Sequence, residues 1–166
     1  PHRLLPDPAL YDGRTTADLE LVDSTIDALD SARRQEWLGA LDAVLRGDDR
    51  VISATAYVGG TLSESALVSS NGLQGTDGGT QLWVGGDVTV RDEGDKRPEG
   101  SWYVGVRQMD DLPPLDEVAR LALEQATIRI GSKKGPTTKT LMVLDPRTAS
   151  RLVGRLIGSM NARGVY

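Results

Sequence analysis

Few residues in this chain could do chemistry, and their spacing decides what chemistry that would be. Gly131-Ser-Lys-Lys-Gly135-Pro-Thr-Thr-Lys139-Thr140 has the residue types of a phosphate loop. Such a loop needs Lys and Thr directly after the second glycine and a helix behind them. Here Pro136 follows and the segment leads into an apolar run, so a solvated basic turn is the better reading. Asp48-Asp49 and Asp110-Asp111 are paired carboxylates, which need a shared cleft to act as acid and base. Both pairs fall in expected loops at element ends, where capping and solubility explain them. Trp83, Trp102 and Tyr103 could make a stacking platform, with Trp83 and Tyr103 on the non-core parity of their strands. Packing against a neighbouring domain would explain that exposed pair as well. Gly154-x-x-x-Gly158 has a helix-packing spacing, but Arg151, Arg155 and Arg163 argue against lipid around it. Two glycines in one helix imply that something approaches closely there.

Composition removes whole classes of function. The 166 residues carry 19 Lys and Arg against 24 Asp and Glu, a formal charge of −5. There is no cysteine, no phenylalanine and one histidine, His2. A disulfide framework, a Cys-based zinc ribbon and a multi-His zinc centre are therefore excluded within this sequence. A Ser-His-Asp or Cys-His site would depend on His2 reaching it from the terminus. An acidic domain with no basic stripe points away from nucleic acid, because phosphate binding is carried by clustered Lys and Arg. No apolar run approaches the ~20 residues of a bilayer span, and no signal peptide opens the chain. With Pro1 in place of an initiating Met, the sequence reads as a fragment of a longer chain.

The elements that must position these residues follow from periodicity. Residues 1–30 hold seven carboxylates and three early prolines and read as an acidic connector, with a helical turn around Ser24–Leu29. A helix is expected over 31–46, where Trp37, Leu38, Leu41, Val44 and Leu45 form one stripe, with Asp30 as its cap and Gly47 as its stop. From Val51 the period becomes two, with Gly59-Gly60 and Asn71-Gly72 as hairpin turns and Gly75 to Gly79 as a loop. Alternation resumes over 82–91 and 102–106. A second helix is expected over 115–129, and Leu141-Met-Val-Leu144 suits a strand buried on both faces. Asp145-Pro146 then caps and opens a last helix presenting Ala149, Leu152, Val153, Leu156, Ile157 and Met160. The order predicts an α+β fold: a mainly antiparallel sheet of four to five strands with helices packed on one face, forming a single domain over 31–166.

The order of segments resembles the TldD/PmbA family of bacterial metallopeptidase-like proteins, also called modulators of DNA gyrase. The matching residues are Leu5-Pro6-Asp7-Pro8, Asp48-Asp49-Arg50-Val51, Ser69-Ser70-Asn71-Gly72, Leu112–Ala126, Gly131-Ser-Lys-Lys-Gly135 and the Leu141–Pro146 junction. The resemblance spans nearly the whole chain and identifies it with the central region of a longer protein. It implies two halves that pair as a cytoplasmic heterodimer acting on unfolded or precursor peptides, in proteolysis and peptide maturation. The TldD half carries zinc through His-Glu-x-x-x-His on the helix after the strand-to-Pro junction, with the glutamate as base. On that alignment the first His is Gly154, the Glu is Arg155 and the second His is Ser159. The resemblance therefore points to the PmbA (TldE) half: no cofactor in this chain, zinc in the TldD-type partner subunit, and no catalytic residue here. Trp83, Tyr103 and Asn161 are the candidates for a cleft or interface. The expected partners are the TldD-type subunit and unfolded peptide, with neither nucleic acid nor membrane.

Two other readings stay open from the residues alone. One is a non-catalytic module whose strand edges capture extended peptide, supported by the alternation over 79–91 and the many glycines. The other is an independent carboxylate hydrolase.

Overall fold

A computed structural model describes Asp7, Ala9 and residues 19–160. Among the described residues the chain forms helices α1 (Ser24–Asp27), α2 (Ser31–Leu45), α3 (Leu115–Thr127) and α4 (Pro146–Ser159), and strands β1 (Val51–Val68), β2 (Gln74–Val90) and β3 (Glu99–Val106). It divides into two compact units, one through Ser132 and one from Lys133. That boundary lies inside the span read from the sequence as one domain. No described helix is long and apolar enough to cross a membrane.

The first unit is a three-stranded antiparallel sheet in the order β1-β2-β3, so β2 is central. The expected count of four to five strands is corrected to three, for two separate reasons. Gly59 and Gly60 do not turn the chain. They are absent from the glycines with positive φ, and β1 runs through them in unbroken register with β2 from Ser53 opposite Thr89 to Val68 opposite Gln74. The residues Gly75 to Gly79 accordingly lie within β2 and are no loop. Asn71-Gly72 does turn the chain, with Gly72 at φ +90°, a left-handed conformation that favours glycine. The second reason lies in Leu141–Leu144, which forms no strand. Leu141 and Val143 are each 87% exposed, so an apolar run alone did not supply a ladder partner.

One face of the sheet is covered by α2 and α3, and the core lies between. From β2 come Leu82, Val84, Val88 and Val90, and from α2 come Leu41 and Leu45. Helix α3 contributes Val118 and the small stripe Ala119, Ala122 and Ala126. With no phenylalanine to span the gap, the layers close by small residues meeting: a Cβ on Gly86 would lie 2.5 Å from Leu45 Cδ1, and one on Gly100 would lie 2.6 Å from Ala126 Cα. Each large side chain fully buried here is worth roughly 1.5–3 kcal/mol. The acidic connector takes part too, since Ile26 of α1 is 1% exposed within the same core.

Polar anchors hold the entry to this layer. Asp30 Oδ1 accepts from Arg33 N at 2.7 Å, capping α2 as its position predicts. Thr80 is the one buried polar side chain among the described residues. Its Oγ1 accepts from Asp23 N at 2.8 Å and donates to the Arg107 carbonyl at 3.1 Å, while its own N–H donates to Leu21 O. The carboxylate of Asp23 caps α1 through Thr25 N and also accepts from Met109 N at 2.7 Å. Residues 21–23 are thereby tied to the middle of β2 and to the 3-10 turn Met109–Asp111.

At the start of β1, Asp48 accepts from the Arg50 guanidinium at 2.9 and 2.6 Å and from Arg50 N at 2.9 Å. The Arg50 side-chain hydrogen bonds hold the Asp48 carboxyl down at about 2. A depressed folded pKa contributes stability above the unfolded value of about 3.9 and loses it as pH falls through the folded one. Asp48→Asn should therefore lower Tm slightly at pH 5–7. The gap to wild type should close between about pH 4 and pH 2, and shrink with added salt because the pair is exposed. Circular dichroism melts across that range check it.

Candidate functional site: the open sheet face and helix α4

The face of the sheet turned away from α2 and α3 is built by strand parity. Tyr57 stands opposite Gly85, which stands opposite Tyr103; Gly59 stands opposite Trp83, which stands opposite Gly105. Aromatic and glycine positions thus alternate across three strands. Glycine is required where the rings lie. A Cβ on Gly105 would fall 2.6 Å from Trp83 Cε3, and one on Gly85 would be 2.7 Å from both Tyr103 Cβ and Tyr57 Oη. The rings of Trp83 and Tyr103 are 6.0 Å apart at 53°, 37% and 39% exposed, within the spacing of a favourable aromatic pair. Both candidates named from parity are therefore brought together, with Tyr57, which shares that parity but was not among the named candidates, beside them. Trp102 is on the other face, packed against the core. Asn161 lies outside the described residues.

This surface offers flat rings and phenol hydroxyls, a stacking platform with one exposed carboxylate, Asp87, a rung along between Thr55 and Ser101. Every carboxyl with a resolved shift is lowered by hydrogen bonds at a cap or turn. Asp23 is held by Thr25, Asp92 by Glu93 N, and Asp145 by Thr148, besides Asp48. A general acid at neutral pH needs its pKa raised. Asp110 and Asp111 lie exposed in the 3-10 turn Met109–Asp111. The basic loop over 131–140 is exposed and opens no helix, as expected of a solvated turn.

Helix α4 is capped as the sequence predicts. Asp145 Oδ1 accepts from Arg147 N at 3.0 Å and Thr148 N at 3.1 Å, with Pro146 at the first turn. Its apolar side is uncovered: Leu152, Val153, Leu156, Ile157 and Met160 are all exposed. A Cβ on Gly154 or Gly158 would meet nothing within 4 Å. The close approach expected at these glycines is therefore absent among the described residues. The overall acidity also hid a basic feature. From Lys133 onward the sequence holds seven Lys and Arg and one carboxylate, Asp145, and Arg147, Arg151 and Arg155 recur every fourth residue. A count by halves would have found this stripe, which the averaged charge conceals.

Zinc, the metal the resemblance implies for the partner half, does not fit here. Gly154 has no ligand atom, Arg155 carries a cation, and Ser159 donates its hydroxyl to the Arg155 carbonyl at 2.9 Å. No group of three or more His, Cys, Asp or Glu among the described residues could hold a metal ion. The helix geometry adds a second obstacle. α4 is regular from Pro146 to Ser159, and residues five apart on a regular α-helix are rotated by about 140°. The triple substitution G154H/R155E/S159H is therefore expected to leave the protein without stoichiometric zinc. Metal content after dialysis against micromolar zinc measures this.

The sequence profile described as the PmbA/TldA metallopeptidase central domain matches residues 24–130. Among solved structures, one from Bacteroides thetaiotaomicron, named as a candidate modulator of DNA gyrase, is 32% identical with a TM-score of 0.86. The match covers 96% of this chain and 36% of that one. A second of the same name, from Thermotoga maritima, shares the fold at 21% identity and a TM-score of 0.65, over 75% of this chain and 28% of that one. The chain thus spans about a third of the length of these structures. No curated protein matches it. The chain belongs to the PmbA/TldA metallopeptidase family, whose central domain it carries at residues 24–130.

Proposed function

We propose that this chain is the central domain of a PmbA/TldE-type subunit, the non-zinc half of a cytoplasmic TldD–TldE-type heterodimer that cleaves unfolded or precursor peptides during their maturation. The observation that carries the reading is α4. A helix follows the Asp145-Pro146 junction, and on the alignment that the resemblance implies Gly154, Arg155 and Ser159 fall at the positions of ligand, base and ligand. An arginine at the base position repels a cation instead of generating a nucleophile from its bound water. Zinc then belongs to the TldD-type partner. This half contributes shape and contact, with the Trp83–Tyr103 face and the apolar side of α4 as the surfaces available to packing neighbours.

Co-purification of full-length chains tests the assignment. The expected result is a one-to-one complex with a TldD-type subunit in which all zinc travels with the partner. Peptide cleavage should come from the pair and not from this subunit alone. Failure of the two full-length chains to associate overturns the reading.

A further inference from the structure

The outer edge of β1 has a defined polarity. Ser69 N donates to Leu73 O at 2.9 Å, closing a hydrogen-bonded pair at the turn. Antiparallel pairs alternate, so Leu67, Ser65 and Ser63 bond to β2, while Leu62, Glu64, Ala66 and Val68 point their N–H and C=O groups outward. Two observations agree with this phase. The Ala54 carbonyl, on the same parity, accepts from Arg46 Nη2, and Thr80 N–H, opposite Leu62, points away from β1 to Leu21 O. From Leu62 to Val68 the outward groups have no backbone partner among the described residues, and all seven residues are exposed.

Natural edges this long are blunted by lysine, proline or a bulge. β1 has no Lys and no Pro, and its register shift lies at the far end, between Val51 and Ser53. Side chains on the even parity read Leu62, Glu64, Ala66, Val68, one carboxylate among apolar groups. Residues 51–90 hold Glu64, Asp77 and Asp87 and no Lys, Arg or His. A second copy of this hairpin would therefore bring no cation to Glu64.

We propose that the Leu62–Val68 edge takes a basic extended peptide as an added strand, with a lysine or arginine opposite Glu64 and apolar residues opposite Leu62, Ala66 and Val68. Main-chain hydrogen bonds supply the register and the cross-strand charge pair supplies the choice. The alternation over 79–91 that first suggested an edge site belongs to β2, whose stretch from Leu82 to Thr89 is paired on both sides; the edge available is that of β1. The inference goes beyond the subunit assignment, since it concerns binding by this protein without a partner.

Fluorescence anisotropy with the full-length protein tests it. The probes are two fluorescein-labelled nine-residue peptides alternating threonine and valine, one with a central lysine and one with a central glutamate on the valine parity. The lysine peptide should bind about tenfold more tightly, the difference between an attractive and a repulsive cross-strand pair. Glu64→Lys, an exposed change checked by unchanged circular dichroism, should reverse the preference. N-methylation of alternate peptide amides should abolish binding on one parity and spare it on the other. Equal affinities, an unreversed preference in E64K, insensitivity to both methylation patterns, or self-association through β1 that the peptides do not compete with would each overturn the proposal. Loss of the TldD-type complex would leave these affinities unchanged, so the two readings fail separately.

Discussion

Gly100→Ala is expected to destabilise the first unit by about 3 kcal/mol or more, lowering Tm by roughly 10 °C. The reason is which atoms stand in the way. A Cβ at position 100 collides with backbone of α3: the Ala126 nitrogen, the Gln125 carbonyl carbon, and Ala126 Cα at 2.6 Å. A side chain can rotate away, but a helix backbone cannot without carrying Ala122 and Ala126 off the sheet. Both are fully buried, so relief at one point opens the interface along the helix. Gly59→Ala is the matched control. A Cβ there meets nothing within 4 Å and φ is not positive, so the change should be neutral or stabilise slightly by reducing unfolded-state freedom. Thermal and urea melts of the two variants read the contrast. Equal stability would mean that α3 and β3 are not in backbone contact.

The same glycines mark how far the sequence could be read. Helices α2, α3 and α4 were legible because period and punctuation agree. Expected bounds of 31–46 and 115–129 became Ser31–Leu45 and Leu115–Thr127, and Asp30 and Asp145 cap as their positions predict. Gly72 was legible because an Asn-Gly pair has a conformational use that two residues alone display. Gly59 and Gly60 share that local signature without turning the chain. A Cβ on Gly60 would meet Ile26 Cγ2 at an ordinary contact distance of 3.6 Å and one on Gly59 would meet nothing within 4 Å, so both glycines are simply carried through the strand. Local sequence cannot tell a glycine pair that turns the chain from one that a strand runs through. The run Leu141–Leu144 failed for a related reason: apolar character states that a partner is wanted, without supplying one.

The aromatic face was half legible. Parity placed Trp83 and Tyr103 on the open side, and the structure brings their rings together. What parity could not show is that Gly85 and Gly105 are the floor on which Tyr57 and Trp83 rest, since register across three strands is fixed by pairings distant in sequence. The positions that the resemblance aligns with the zinc motif were legible only as residue types. Their failure to share a helix face follows only once α4 is known to be regular. The charge contrast between the two units was present in the composition, and summing over the whole chain removed it.

Leu45 and Gly86 should behave as one energetic unit. Leu45 is fully buried on α2, and its Cδ1 and Cδ2 would lie 2.5 and 3.1 Å from a Cβ on Gly86. Leu45→Ala removes that plug and should cost about 2–5 kcal/mol in lost burial and residual cavity. Gly86→Ala pushes a methyl into the same space and should cost about 1–3 kcal/mol while Leu45 remains. In the double variant the new methyl enters volume that the leucine has vacated, so the two penalties should fall short of adding by about 1 kcal/mol or more. The Thr55 carbonyl, 3.1 Å from the same Cβ, does not move with Leu45, which keeps the rescue partial. Urea denaturation of the four proteins closes the cycle. An additive result would mean that α2 meets β2 elsewhere. A sub-additive one fixes the closure of this phenylalanine-free core on a leucine seated over a bare strand backbone, the arrangement that holds α2 on one side of β2 and leaves Trp83 and Tyr103 open on the other.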